Sequence, residues 1–160
     1  MRRLAFLTII VVACAGFAAG PAVASPPKTA TGTFSFLSDT FTPIGGSDRF
    51  FLEQASRSYA GDLVGVANDV DVFLARGDYF QAHGTETCTA CTIGGHGPGD
   101  FTAVFSYKGV STATGFTYSG HLTFLSGSGG LSGLHGQGSF SGNETTNNYS
   151  LNYFFAGSRR

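Results

Sequence analysis

Tryptophan is absent from this chain, methionine occurs once, and charged residues make up only 12% of it. Nine Lys and Arg stand against ten Asp and Glu with no basic cluster. That excludes nucleic acid and anionic membrane surfaces as partners, since both require grouped cations. Past residue 24 no stretch repeats its apolar residues at helical spacing, which argues against a helical domain. Several catalytic signatures are missing as well. No serine sits in a G-x-S-x-G elbow between a strand and a helix. Glu53, Asp69, Asp71 and Glu86 are the carboxylates available for glycoside hydrolysis, but Asp69 and Asp71 read more simply as an acidic surface strand. Together with Asn68 they lack the EF-hand spacing for calcium.

Cysteine is scarce, with three in the chain, and each has its own context. Cys14 lies inside an apolar run, residues 4–19, that follows Arg2 and Arg3 and precedes the small-x-small sequence Ala22-Val23-Ala24. This is the pattern of a secretory leader cleaved before Ser25. Gly16, Gly20 and Pro21 interrupt the run and no stop-transfer pattern follows, so no transmembrane segment is expected and the mature protein is predicted to be secreted. The competing reading is a lipobox, Val11-Val12-Ala13-Cys14, which would anchor the chain through a lipid on Cys14. Loss of Arg2 and Arg3 would leave seven basic residues against ten acidic ones.

Cys88 and Cys91 remain, in C-x-x-C spacing, and in an oxidising compartment they are expected to pair as a small disulfide that stiffens a loop tip. A thioredoxin-like redox site would need a helix after Cys91, and none is patterned there. His83, Cys88, Cys91 and His96 also form an H-x4-C-x2-C-x4-H set, the alternative zinc reading. The preferred expectation is the disulfide, with no metal and no cofactor.

What the chain has in abundance is glycine, 24 residues, and aromatics at 14%. The aromatics fall in alternating rows: Phe34 and Phe36; Phe101, Phe105 and Tyr107 around Ala103; Phe116, Tyr118, Leu122 and Phe124 around Gly120. Glu53 and Arg57 share a face with Phe51 and Ala55, opposite Phe50, Leu52, Gln54 and Ser56. Val64, Val66, Val70, Val72 and Leu74 share a face further on. Turns are expected at Gly61-Asp62, Gly77-Asp78 and Lys108-Gly109, with residues 88–99 as a loop and residues 127–142 as a packed glycine-rich corner anchored by Leu131, Leu134 and Phe140. His121 takes the side of Thr117, Ser119 and Thr123 by parity, and His135 belongs to the corner.

The sum is about eight short-connected antiparallel strands in one domain, residues 30–157, after a short lead at 25–29. Such a set closes most economically as an all-β, up-and-down β-barrel of lipocalin-like architecture. A two-sheet sandwich is the competing arrangement.

Four stretches carry a family resemblance: Ala30-Thr31-Gly32-Thr33-Phe34; Tyr59-Ala60-Gly61-Asp62-Leu63-Val64-Gly65; Asp100-Phe101; and the Gly130-Leu131-x-Gly133-Leu134-x-Gly136-x-Gly138-x-Phe140 corner. They resemble an exported bacterial domain of unknown function with an allene oxide cyclase-like barrel, over about residues 30–155. The resemblance implies that fold and a hydrophobic cavity carrying a few polar groups. It also implies possible oligomers, since allene oxide cyclases form trimers. It transfers no catalytic residue, and equating Glu53 with the family's cavity glutamate has no motif behind it.

Glu53, Arg57, Gln81, His83, Tyr107 and Tyr118 are the residues predicted to orient a small apolar or amphipathic ligand among the aromatics. The alternatives are a cyclase or isomerase using the same cavity, and a surface or interaction protein whose barrel is filled by side chains. The leader is checked by the intact mass of the exported protein. That mass should equal residues 25–160 less two hydrogens, and a diacylglyceryl increment on a chain starting at Cys14 would replace this reading by the lipid anchor.

Overall fold

The structure, a computed structural model, describes residues 26–157; the predicted leader, with Cys14, lies outside the described residues. Alternation becomes eight antiparallel strands: β1 (Lys28–Pro43), β2 (Phe50–Gly61), β3 (Leu63–Arg76), β4 (Tyr79–Ile93), β5 (His96–Thr112), β6 (Gly115–Gly127), β7 (Leu134–Asn143) and β8 (Asn147–Phe155). Each strand pairs with the next in sequence. β8 returns to β1 through pairs such as Leu151 with Ala30, so the sheet closes on itself as a ring. Among the described residues no helix is long and apolar enough to cross a membrane.

The ring has two unlike ends. At the end where the chain enters β1 and leaves β8, Leu63, Ile93, Leu131, Leu134 and Tyr153 are at most 2% exposed and fill the interior. Each such aliphatic side chain contributes about 1.5–3 kcal/mol by leaving water. The Tyr149 hydroxyl accepts a 2.7 Å hydrogen bond from the Leu63 amide, tying β8 to the β2–β3 turn. At the opposite end lie the β1–β2, β3–β4, β5–β6 and β7–β8 hairpins. There β1 pairs with β8 only up to Thr33, while its pairing with β2 continues to Pro43. The last ten residues of β1 therefore run on beyond their ladder with β8, whose Asn147 side chain still donates to the Phe34 carbonyl at 3.3 Å.

Three turn and loop expectations change. Residues 88–99 form no loop: β4 runs to Ile93, a two-residue turn at Gly94 and Gly95 (φ 55° and 81°) follows, and β5 begins at His96. Two successive positive φ values are what a tight hairpin turn matching strand twist needs, and glycine supplies them. Cys88 and Cys91 are accordingly inside the sheet, at a register shift in β4, bonded to each other and at most 1% exposed. The disulfide is present, but it is a core element at the packed end and not a stiffener of a loop tip.

Lys108-Gly109 is likewise not a turn, since β5 continues to Thr112. Gly109 is small because the Phe80 ring occupies its side-chain space: a Cβ there would lie 2.3 Å from Phe80 Cζ. The glycine-rich corner is real but shorter than expected. A single 3-10 turn, Gly129–Leu131, buries Leu131, and from Leu134 onward the chain is already β7. Gly136 and Gly138 lie within that strand, facing Tyr153 and Leu151 of β8.

The same space argument applies to Gly84 on the interior face of β4, where an added Cβ would stand 2.3 Å from both the Asp71 Cβ and the Val70 carbonyl oxygen. Gly84→Ala is expected to lower stability by about 1–3 kcal/mol through overpacking. Thr85→Ala, on the exposed face beside it, should stay within about 0.5 kcal/mol of wild type. Denaturant midpoints of the two variants measure this, and equal midpoints would show that Gly84 is not there to make room.

Candidate functional site

Directly opposed residues of neighbouring strands share a face of the sheet, so the register decides which side chains meet inside the ring. Glu53 on β2 opposes Asp71 on β3, and Asp69 on β3 opposes Glu86 on β4. All four carboxylates are at most 2% exposed, as is Arg57 two positions beyond Ala55 on β2. Among the described residues, two carboxylate pairs thus stand side by side inside the ring with one buried arginine.

Arg57 sits at mid-height. Its Nε lies 2.5 Å from Asp69 Oδ2 and its Nη1 3.8 Å from Glu86 Oε2. The rings of Phe34, Phe36, Phe105 and Phe140 surround the guanidinium, with centroids 5.1–5.8 Å from Cζ. Aromatic faces attract a desolvated cation, so the box and the carboxylates hold the same charge. The Nε to Asp69 contact is close without being aligned as a hydrogen bond, and both atoms lack a hydrogen-bonding partner by angle. It is an ion pair held by charge. Burial alone would lower the Arg57 pKa, but Asp69, Tyr59 and Glu86 outweigh it and push it up.

The carboxyls respond in the opposite sense. Burial pushes Asp69 up to about 8 against the pull of Arg57, with the neighbouring Glu86 adding to the rise. Burial also raises Glu86, opposed by Arg57 and by the 2.8 Å hydrogen bond that Tyr59 donates to it. With both acids raised, Asp69 to about 8, one of the two is protonated near neutral pH, so that the pair carries one negative charge beside Arg57. Nearer the hairpin end, Asp71 is pushed up to about 8 by burial and by Glu53. Asp39 is pushed up to about 6 by burial and by the same Glu53. The Tyr107 hydroxyl donates a 2.7 Å hydrogen bond to Glu53 Oε2. Burial followed by the Glu53 charge raises the Tyr107 phenol, which keeps it a donor.

Above this polar floor the interior is not filled. A cavity of about 340 Å³ opens at the hairpin end, with Glu53, Arg57, Tyr107 and Tyr118 at its base and the exposed Asp39 in its lining. Its walls are an aromatic arc in which Phe41 meets Phe73 at 5.1 Å, Phe73 stacks on Phe80 at 5.6 Å, and Phe80 meets Phe116 at 6.4 Å. The overhanging part of β1 supplies Phe36, Asp39 and Phe41.

Of the six residues predicted to orient a ligand, the fold gathers Glu53, Arg57, Tyr107 and Tyr118 at this one cavity. Gln81 and His83 stand on the exposed face of β4, because Ala82, Gly84 and Glu86 take the interior positions between and beyond them. His83 is therefore parted from Cys88 and Cys91, which are bonded to each other inside, and His96 packs its ring 4.5 Å from Phe155. The four zinc-type ligands do not form one set.

Asp69 and Asp71 do not form an acidic surface strand: they are buried, and the valines beside them face outward, with Val64, Val66 and Val70 45–50% exposed. The available signal was register. Once Glu53 is placed inside, its cross-strand partner Asp71 must follow, and Asp69 with it. Asp39 carried no pattern of its own, since it lies beyond a bulge between Phe36 and Ser38.

No protein-family model matches the chain, and no curated protein matches it. Among solved structures it is similar to a protein of unknown function from the DUF3224 family of Shewanella oneidensis, with a TM-score of 0.60 and 19% identity over 83% of this chain and 100% of that one. At that identity the likeness concerns the fold.

Folded-state carboxyls raised above an unfolded value of about 4 stabilise the fold fully below that value. The contribution is lost as pH rises through their folded values, about 8 for Asp69 and Asp71. The melting temperature is therefore expected to fall between about pH 5 and pH 8.5. Asp71→Asn should flatten that fall and exceed wild type by ~1–3 kcal/mol at the alkaline end, where it removes a buried charge. A wild-type melting temperature constant across this range would contradict the buried-acid assignment.

Proposed function

We propose that this chain is an exported binding protein that holds a small, predominantly apolar or amphipathic molecule inside an up-and-down barrel of the allene oxide cyclase-like type. The observation that carries this reading is the unfilled upper interior: about 340 Å³ walled by phenylalanine and floored by Glu53, Arg57, Tyr107 and Tyr118. Apolar walls with a few convergent polar groups are the usual make-up of a small-molecule site, and this volume lies within its usual range. A barrel serving only as a surface module has no need to leave its upper half empty while packing its lower half to completion. Export, by the secretory leader or through a lipid on Cys14, belongs to the same proposal.

A second reading is favoured by one observation. Asp39 is pushed up to about 6 by partial burial and Glu53 and lines the cavity from the exposed overhang of β1, where an acid near neutrality is suited to giving and retaking a proton during a cyclisation or isomerisation. In that reading Tyr107, hydrogen-bonded to Glu53, would hold the carboxylate in place.

Binding is tested with a neutral, environment-sensitive apolar fluorophore such as N-phenyl-1-naphthylamine. The wild-type protein should bind it with saturable enhancement. Ser111→Trp, which places a large side chain at the cavity wall, should weaken binding at least tenfold while leaving the melting temperature near wild type. Unsaturable enhancement, or equal affinity of the two proteins, would place the fluorophore elsewhere and remove the cavity as a binding site.

A further inference from the structure

We infer that the polar base of this cavity is built for a positively charged head group, so that the ligand of the proposed binding site is an amphipathic primary amine. The inference rests on the binding reading above and specifies its chemistry.

Charge inside the ring does not balance. Among the described residues, Arg57 is the basic side chain in the interior ion pairs, and its guanidinium is already committed to Asp69 and Glu86 and enclosed by four rings. Glu53 and Asp71 inside the ring, and Asp39 on the exposed overhang of β1, are left without a cation. Glu53 has one donor, the Tyr107 hydroxyl. Asp71 is only 2% exposed, and neither of its carboxylate oxygens has a hydrogen-bonding partner.

A buried carboxylate without donors is costly, and the chain offers one internal remedy, a proton shared with the opposed Glu53. An ammonium group entering from the cavity would replace that proton. It brings three N–H donors to a cavity lined by Glu53 and Asp39, with Asp71 directly opposed to Glu53 across the strand pair. The aromatic arc of Phe41, Phe73 and Phe80 would then take the apolar remainder, and ring faces also favour a desolvated cation.

A carboxylate ligand would meet the reverse situation. It would add a further negative charge beside three acids, and the one available cation is already paired.

Ligand and proton therefore compete. The titratable and charged groups lining the cavity are Asp39 on β1, Glu53 and Arg57 on β2, Tyr107 on β5 and Tyr118 on β6, and packed behind them are Asp69 and Asp71 on β3 and Glu86 on β4. Within the range tested, Asp39, Asp69 and Asp71 titrate, while Arg57 and the tyrosines, all raised, do not. An ammonium with a pKa of about 10 keeps its charge throughout, so its affinity should rise as the acids ionise, and each binding event near neutral pH should release a proton.

Three ligands with one tail separate the possibilities: 4-phenylbutylamine, 4-phenylbutanol and 4-phenylbutyrate, titrated calorimetrically into the full mature protein in two buffers of different ionisation enthalpy. The expected result has four parts. The amine binds at least tenfold more tightly than the alcohol at about pH 8; its affinity increases from about pH 6 to pH 8.5; buffer-dependent heats report proton release; and Glu53→Gln cuts the preference for the amine over the alcohol at least tenfold. If that variant fails to fold, the pH profile and proton release of the wild-type protein still decide the matter. Alcohol or carboxylate binding as tightly as the amine would overturn the charge assignment and leave the apolar cavity standing. No binding by any of the three, together with no saturable fluorophore binding, would overturn the cavity reading and this inference with it.

Discussion

Arg57 in the middle of the ring is the constraint to which the interior is fitted. Removing a guanidinium from water costs several kcal/mol even after relaxation, so its position demands anions, and Asp69 and Glu86 supply them from the next two strands. Two acids around one cation then leave one of them protonated near neutral pH. Their bulk requires room, which the cross-strand partners provide. Arg57 opposes Ala67, Asp69 opposes Ala55, Glu86 opposes Ala103, Asp71 opposes Gly84 and Tyr107 opposes Ala82. Large and polar faces small and apolar at each of these rungs. That alternation lets a narrow ring hold a charged centre without overpacking.

This inversion is also why the sequence was legible in fold and only partly legible in site. Alternation gave the strands, and the aromatic rows of β5 and β6 pointed inward as expected, with Phe101, Phe105, Leu122 and Phe124 at most 4% exposed. The face of β2 bearing Glu53 and Arg57 was also readable. On β3 the usual rule of apolar inside and polar outside pointed the wrong way. The outward valines suit a pleated strand surface by their branched shape, while the inward aspartates depend on an arginine from another strand. Such a dependence is written in the pairing register and not in local composition. Gly109 misled for a related reason, since glycine marks both a turn and a vacancy for another residue's ring.

The two ends divide their tasks along the same axis. Apolar burial, the Cys88–Cys91 bond and the Tyr149 tie to Leu63 lie at the end holding Leu131 and Leu134. The unfilled space, the stretch of β1 paired with β2 alone and the acids without a cation lie at the other. Rigid packing below holds the register of β2 and β3, and that register aligns Glu53 with Asp71 above.

Because Leu63, Ile93, Leu131, Leu134 and Tyr153 plug one end, the molecule is a cup and not a tube. Whatever occupies it must leave by the opening through which it came, past Phe36 and Phe41 on the overhanging strand. Passage through the ring from one side to the other is closed to it. Residence time would then be set at a single threshold, where loosening the free edge of β1 would speed entry and escape by the same factor and leave the equilibrium between them unchanged.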